Sequence, residues 1–200
     1  MKRIVLAFFL AVLTISVRAA EFAPDNDGFI RNWLLLAPIP LPDGSSGGEE
    51  IDKEQIKEEA KLSPKEGDTA KAGDKTLTWK SINATDYFFD VNVVLGAQTE
   101  DSCAYAVCYV VADADLKDVV LQMGSNDEGK VYLNGKEVVK FTETRVVDKD
   151  QNAAKDLTLN KGVNKLVFKV INEKNNWQGC IRFTTKDGKP VKDVKIKLEP

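Results

Sequence analysis

The side chains able to do chemistry in this chain are carboxylates, amides and three thiols, because its 200 residues include no histidine. That absence excludes a Ser-His-Asp or Cys-His relay and any histidine-ligated metal centre. No glycine-rich phosphate cradle or dinucleotide fingerprint is present. Chemistry run on carboxylates alone survives, and the shaped candidate for it is Glu50-Ile51-Asp52-Lys53-Glu54. On a strand these three acids would share one face, as a general acid/base and a nucleophile on either side of a sugar bond require. On a helix they fan apart. The flanks Glu49, Gln55, Lys57, Glu58 and Glu59 are charged or polar helix formers, so the run is expected to be a solvated face. The chain is accordingly read as non-catalytic.

Three further groups carry oxygen or aromatic chemistry. Asp25-Asn26-Asp27-Gly28 could wrap a calcium ion, but no acidic residue completes the calcium-hand pattern downstream, and a plain turn is expected. Asn126, Asp127 and Glu128 lie in a polar connection, and Asn175 and Asn176 precede Trp177. An indole that stacks on a sugar ring beside amides that bond its hydroxyls is glycan-binding chemistry, and the competing role for Trp177 is to close one end of a core. Trp33 and Trp79 fall in predicted strands and are assigned to the core. Cys103 and Cys108 are five apart on one predicted strand, hence on opposite faces and poorly placed to pair. A bridge from either to Cys180 stays open beside three small buried thiols, and without CxxC spacing or histidine a structural zinc site has no support.

The elements that position these groups are mostly strands. Asn134-Gly135 between Lys130-Val131-Tyr132-Leu133 and Lys136-Glu137-Val138-Val139 marks a hairpin, since both central residues of a type I′ turn need positive φ. Leu116 to Met123 reads as the strand before it, with Gly124 to Gly129 as a polar connection. Phe29 to Leu36 is an apolar strand stopped by Pro38, Pro40 and Pro42. Further strands are expected at Thr76–Ile82, Tyr87–Leu95, Ala104–Ala112, Leu157–Leu159, Lys165–Ile171, Gly179–Thr185 and Val191–Leu198, with an edge strand at Phe141–Val147. The fold class is therefore all-β, an antiparallel two-sheet β-sandwich of jelly-roll type with one short helix near residues 49–62.

Met1 to Ala19 begins with Lys2 and Arg3, continues as an apolar run too short to span a bilayer, and ends in small residues, as a secretory signal peptide does. The domains expected are thus a leader at 1–19 and one sandwich at 20–200 with a loop and helix insertion at 43–75. The localisation is secreted or periplasmic, with no membrane insertion once the leader is removed. Acidic residues outnumber basic ones, 31 to 28, and losing Lys2, Arg3 and Arg18 widens the gap. Such a chain is a poor partner for nucleic acid or an anionic membrane.

The ordered set Trp33-Leu34-Leu35-Leu36-Ala37-Pro38, Ala104-Tyr105-Ala106, Gly124-Ser125-Asn126-Asp127, Val131 to Val138, Lys161 to Leu166, and Asn176-Trp177-Gln178-Gly179 with Arg182 resembles the galactose-binding-like jelly roll. That domain occurs in family 2 glycoside hydrolases and in secreted bacterial proteins. The related protective-antigen-type domain has Ser-Asp-Asp-Gly before its hairpin, where in lectin members the aspartates hold calcium and sugar; this chain has Ser125-Asn126-Asp127-Glu128 instead. The run at Glu50 similarly resembles the E-x-D-x-E motif of laminarinase-like glycosidases. The resemblance implies an exported module that binds carbohydrate through end loops at Asn126, Asp127, Glu128, Asn175, Asn176 and Trp177. It implies no obligatory cofactor, while leaving room for calcium. The alternatives are an adaptor jelly roll that docks onto another extracytoplasmic protein and, more remotely, a carboxylate glycosidase.

Overall fold

In the computed structural model, which describes residues 20–200, Asn134 and Gly135 take φ of 52° and 82°, and Leu133 faces Lys136 across a two-residue loop. The hairpin is built as its sequence requires. The expected leader lies outside the described residues.

The elements in chain order are β1 (Asn32–Pro40), α1 (Gly47–Glu50), a 3₁₀ turn (Glu59–Lys61), β2 (Thr69–Ala72), β3 (Lys75–Thr78), β4 (Lys80–Asn83), β5 (Phe89–Asp90), α2 (Val91–Leu95), β6 (Ser102–Ala112) and β7 (Leu116–Asn126). They continue with β8 (Gly129–Leu133), β9 (Lys136–Phe141), β10 (Asn152–Leu159), β11 (Gly162–Asn172), β12 (Gln178–Thr184) and β13 (Val194–Lys197). One sheet has the order β4-β1-β6-β11-β8-β9, with β13 also beside β6, and the other has the order β10-β7-β12-β5. All pairings are antiparallel. The fold is an antiparallel β-sandwich, as period-two burial on successive short strands predicts.

The core between the sheets takes Trp33 and Leu35 of β1, Ala104 to Ala112 at alternate positions of β6, Leu121 and Met123 of β7, Phe168 and Val170 of β11, and Ile181 and Phe183 of β12. The larger sheet buries its other face as well. Leu34, Leu36, Tyr105, Val107, Tyr109, Tyr132 and Val167 pack against Ile51, Ile56 and Trp79. Residues 41–79 thus form a strap across that sheet, with β2 and β3 as a separate small hairpin.

The short helical stretch expected near 49–62 is present in two pieces, α1 at one end and the 3₁₀ turn at the other. Several expected strands differ. Phe29–Leu36 begins at Asn32 and runs on through Pro38 to Pro40, and Thr76–Ile82 breaks at Trp79 into β3 and β4 of different sheets. Tyr87–Leu95 keeps only β5 extended, because the Asp90 side chain caps α2 by accepting the Val93 N–H (3.1 Å) and Gly96 ends it at φ 66°. Phe141–Val147 is not an edge strand beyond Phe141. Arg145 draws it out of the ladder, its backbone N–H bonding Asp127 Oδ1 (3.2 Å) and its Nε bonding the Ser125 carbonyl (3.1 Å). Leaving a sheet edge costs little where side chains replace the ladder bonds.

Candidate functional site

The Asn126-Asp127-Glu128 connection is not the open loop expected. β7 runs to Asn126 and β8 begins at Gly129, so two residues carry the chain from one sheet to the other. A connection that short must satisfy its backbone internally: Asp127 N–H bonds the Ile171 carbonyl (2.9 Å), and Ile171 N–H bonds the Glu128 carbonyl (3.1 Å). Asn126, Asp127 and Glu128 are all buried. The Asn126–Asp127 peptide is cis.

Each carboxylate at this tip has a defined environment. Asp127 accepts backbone N–H groups from Arg145 through Oδ1 and from Glu173 through Oδ2 (3.0 Å). Burial raises its pKa, opposed by those bonds and one from Lys174. Glu128 is 1% exposed and its Oε2 has no hydrogen-bond partner among the described residues. Burial, with the nearby Glu173 and Asp127, pushes its pKa up to about 7. Glu173 accepts the Gly47 N–H at 2.7 Å.

Trp177 corrects the expectation of a stacking platform. It is 0% exposed, belongs to the core between the sheets, and donates from Nε1 to the Val170 carbonyl (3.2 Å). An enclosed indole offers a sugar no ring face. Asn175 and Asn176 are exposed beside it, with the Asn175 carbonyl accepting amide hydrogens from Asn92 (2.8 Å) and Gln98. Asp127 bonds Glu173, two residues before Asn175, and β12 sets Gln178 opposite Asn126, so the two regions lie together as a closed end of the sandwich. Asn126, Asp127 and Glu128 are likewise corrected as surface contacts.

The residues present do not fit a calcium ion at this tip. Both Asp127 oxygens already take N–H donors, Glu128 is pressed against Gly47, and among the described residues no three Asp, Glu, Cys or His side chains converge as a metal cluster. Asp25 is equally occupied: Oδ1 accepts Asp27 N–H (3.0 Å) and Phe29 N–H (2.9 Å), and Oδ2 pairs with Arg31 (2.8 Å). That is the expected plain turn.

The acidic run at Glu50 is tied into the strap by hydrogen bonds and ion pairs. Glu50 is buried and bound by Lys53 and Gln55, each at 2.7 Å. Asp52 pairs with Lys130 and Lys140, which hold its pKa down at about 2. Glu54 accepts the Glu58 N–H (3.1 Å). The expectation of a solvated face therefore fails at Glu50 and Glu59, both 1% exposed. Sequence reading missed them because an acid on a strap and an acid on a free helix look the same in one dimension.

All three cysteines are buried free thiols. Cys103 faces the strap and Cys108 the inter-sheet core, the opposite-face placement that their spacing predicts. Burial raises the thiol pKa values of Cys103 and Cys180 to about 12.

A cleft of ligand size lies at the other end of the sandwich. β1 pairs with β6 over Ser102–Val107, and β13 takes the same side of β6 over Tyr109–Ala112. Where one strand gives way to the other, the sheet edge has a notch of about 660 Å³. Asn32 and Asn83, directly opposed between β1 and β4, line it with Lys65, Glu66, Ser81 and Glu199, while Phe22, Ile82 and Leu198 form apolar wall. Glu66 accepts from the Ser81 backbone N–H (3.2 Å) and from its hydroxyl. Those bonds, the hydroxyl's foremost, hold its carboxyl below the ordinary range. The Asn32 and Asn83 amides carry no side-chain hydrogen bond to another described residue. In sequence, Asn32 shows only as a polar break in an apolar strand, and nothing there joins it to Asn83.

No family model and no curated protein matches the chain. Among solved structures it is similar to the PA14 domain of MpAFP antifreeze protein, at a TM-score of 0.41 and 9% identity over 94% of this chain and 93% of that one. At that distance the likeness decides neither family nor ligand.

Proposed function

We propose that the protein is an exported, non-catalytic β-sandwich module that binds carbohydrate, with the notch between β1, β4 and β13 as its site. The observation that carries this is the pairing of two uncommitted amides, Asn32 and Asn83, with an apolar wall of Phe22, Ile82 and Leu198 in a cleft large enough for a sugar ring. An amide both donates and accepts, as ring hydroxyls demand, and the apolar wall suits the C–H face of the same ring. Lys65, Glu66 and Glu199 together leave the cleft with no single sign of charge to select an ion. A general acid needs a raised pKa, whereas Glu66 is held low by Ser81. This is the reason to read the cleft as binding rather than cleaving.

Affinity gel electrophoresis of the processed protein against a panel of polysaccharides tests this. Retardation is expected for at least one, reduced about tenfold or more by Asn83→Ala or Lys65→Ala and untouched by Asn175→Ala or Asn176→Ala at the opposite end. Absence of retardation throughout, or loss that follows Asn175 and Asn176, overturns the reading. Docking onto another protein has less support: the exposed apolar residues Val93, Val94, Val146 and Val163 belong to three separate segments.

A further inference from the structure

At the closed tip, α1 rests directly on acid. A methyl group at Gly47 would overlap the Glu128 carboxylate and one at Gly48 would strike the Thr142 carbonyl, so two glycines allow this approach. Gly47 also donates its N–H to Glu173. Two carboxylates from different elements therefore meet one residue of the cap. Among the described residues, the buried acceptors Glu128 Oε2, Asn126 Oδ1 and Asn172 Oδ1 have no donor.

Among the described residues, the charged groups around Glu128 do not supply a counter-ion. Glu50, following on α1, is already bound by Lys53. Asp127 is satisfied by N–H groups, and Lys174 presents its backbone to Asp127. Arg145 is committed to Ser125 and Asn152 and lies 3.7 Å over the Phe141 ring. A proton is the remaining means of neutralising the site.

We infer that Glu128 carries that proton in the closed form, and that the segment Ser46–Glu49, ahead of the Glu50 and Ile51 carbonyls that Lys169 holds, is a cap over the acidic tip which deprotonation releases. Releasing it uncovers Asn126, Asp127 and Glu128, the residues that the sequence singles out. The device is independent of the notch.

The direction follows from linkage. Burial raises the Glu128 pKa from an ordinary 4.5 to about 7, so the closed form holds the proton more tightly than the open one. Closure is favoured in full below about pH 4.5, weakens as pH rises, and has lost this contribution by about pH 7.

Hydrogen exchange of the full chain, corrected for intrinsic rates, tests this together with carboxyl-carbon NMR of Glu128. Protection at Gly47, Glu50 and Ile51 should fall by about two orders of magnitude between about pH 5 and pH 8, while Val107 and Val167 stay protected. The Glu128 midpoint should lie within about one pH unit of 7. Glu128→Gln should flatten the cap profile, and Gly47→Ala, which displaces the cap, should return the midpoint toward the ordinary value. A midpoint near that ordinary value in the wild type, a flat wild-type profile, or the same profile in Glu128→Gln overturns the inference.

Discussion

Replacing Lys169 by methionine should release the strap before it unfolds the sandwich. The Lys169 ammonium is 0% exposed and donates to the carbonyls of Glu50 (3.0 Å), Ile51 (3.2 Å) and Lys53 (2.5 Å), with Glu59 Oε2 at 3.3 Å. Glu59 in turn accepts from the hydroxyls of Tyr132 (2.6 Å) and Tyr105. Methionine keeps the length and apolar body of the side chain, so packing is nearly conserved and the charge is what goes. It strands a buried carboxylate and three carbonyls, a loss of about 3–5 kcal/mol, or roughly a thousandfold in the folded ratio. The strap can escape part of that cost by lifting off, which exposes Ile51, Ile56 and Trp79. Two assays distinguish the steps. Trypsin should cut at the exposed Lys57 and Lys61 much faster in the variant, and Trp79 fluorescence should change at lower urea than far-ultraviolet dichroism does. Adding Glu59→Gln should recover about 2 kcal/mol, since the two groups act as one unit. A shift below about 1 kcal/mol with unchanged tryptic rate, or strict additivity in the double variant, refutes the assignment of this buried pair as the anchor.

Trp177→Ala should lower unfolding free energy by about 3–5 kcal/mol in urea titration, because the indole fills the core; near-wild-type stability would return Trp177 to the surface. Ellman's reagent should find no reactive thiol in the native protein and three after denaturation, and reductant should leave the melting temperature unchanged. Detection of a disulfide by mass spectrometry would contradict the buried, separate thiols. Lys130, and then Lys140, depress Asp52 from 3.8 to about 2, so its stabilising contribution is present above about pH 3.8 and fades as pH falls toward 2. NMR titration should place its midpoint near 2, and Lys130→Met should move that midpoint up toward the ordinary value.

Local rules were enough to make most of the sandwich strands, the Asn134-Gly135 turn and the Asp25 turn legible in the sequence, because alternation, positive φ and short-range side-chain bonds act within a few residues. They also put Cys103 and Cys108 on opposite faces. What covers each face is a long-range matter. Glu50 and Glu59 read as solvent-facing until the strap lies across β6, β11 and β8, when desolvation and pairing with Lys53 and Lys169 decide their roles. The Asn126–Glu128 connection reads as a polar loop until β7 and β8 are seen to belong to different sheets; a two-residue crossing then has to be buried and hydrogen-bonded. Asn32 and Asn83 meet because β4 pairs back on β1, and they face a notch because β1 gives up its place beside β6 to β13; both are pairings between distant strands that leave no local trace along the chain.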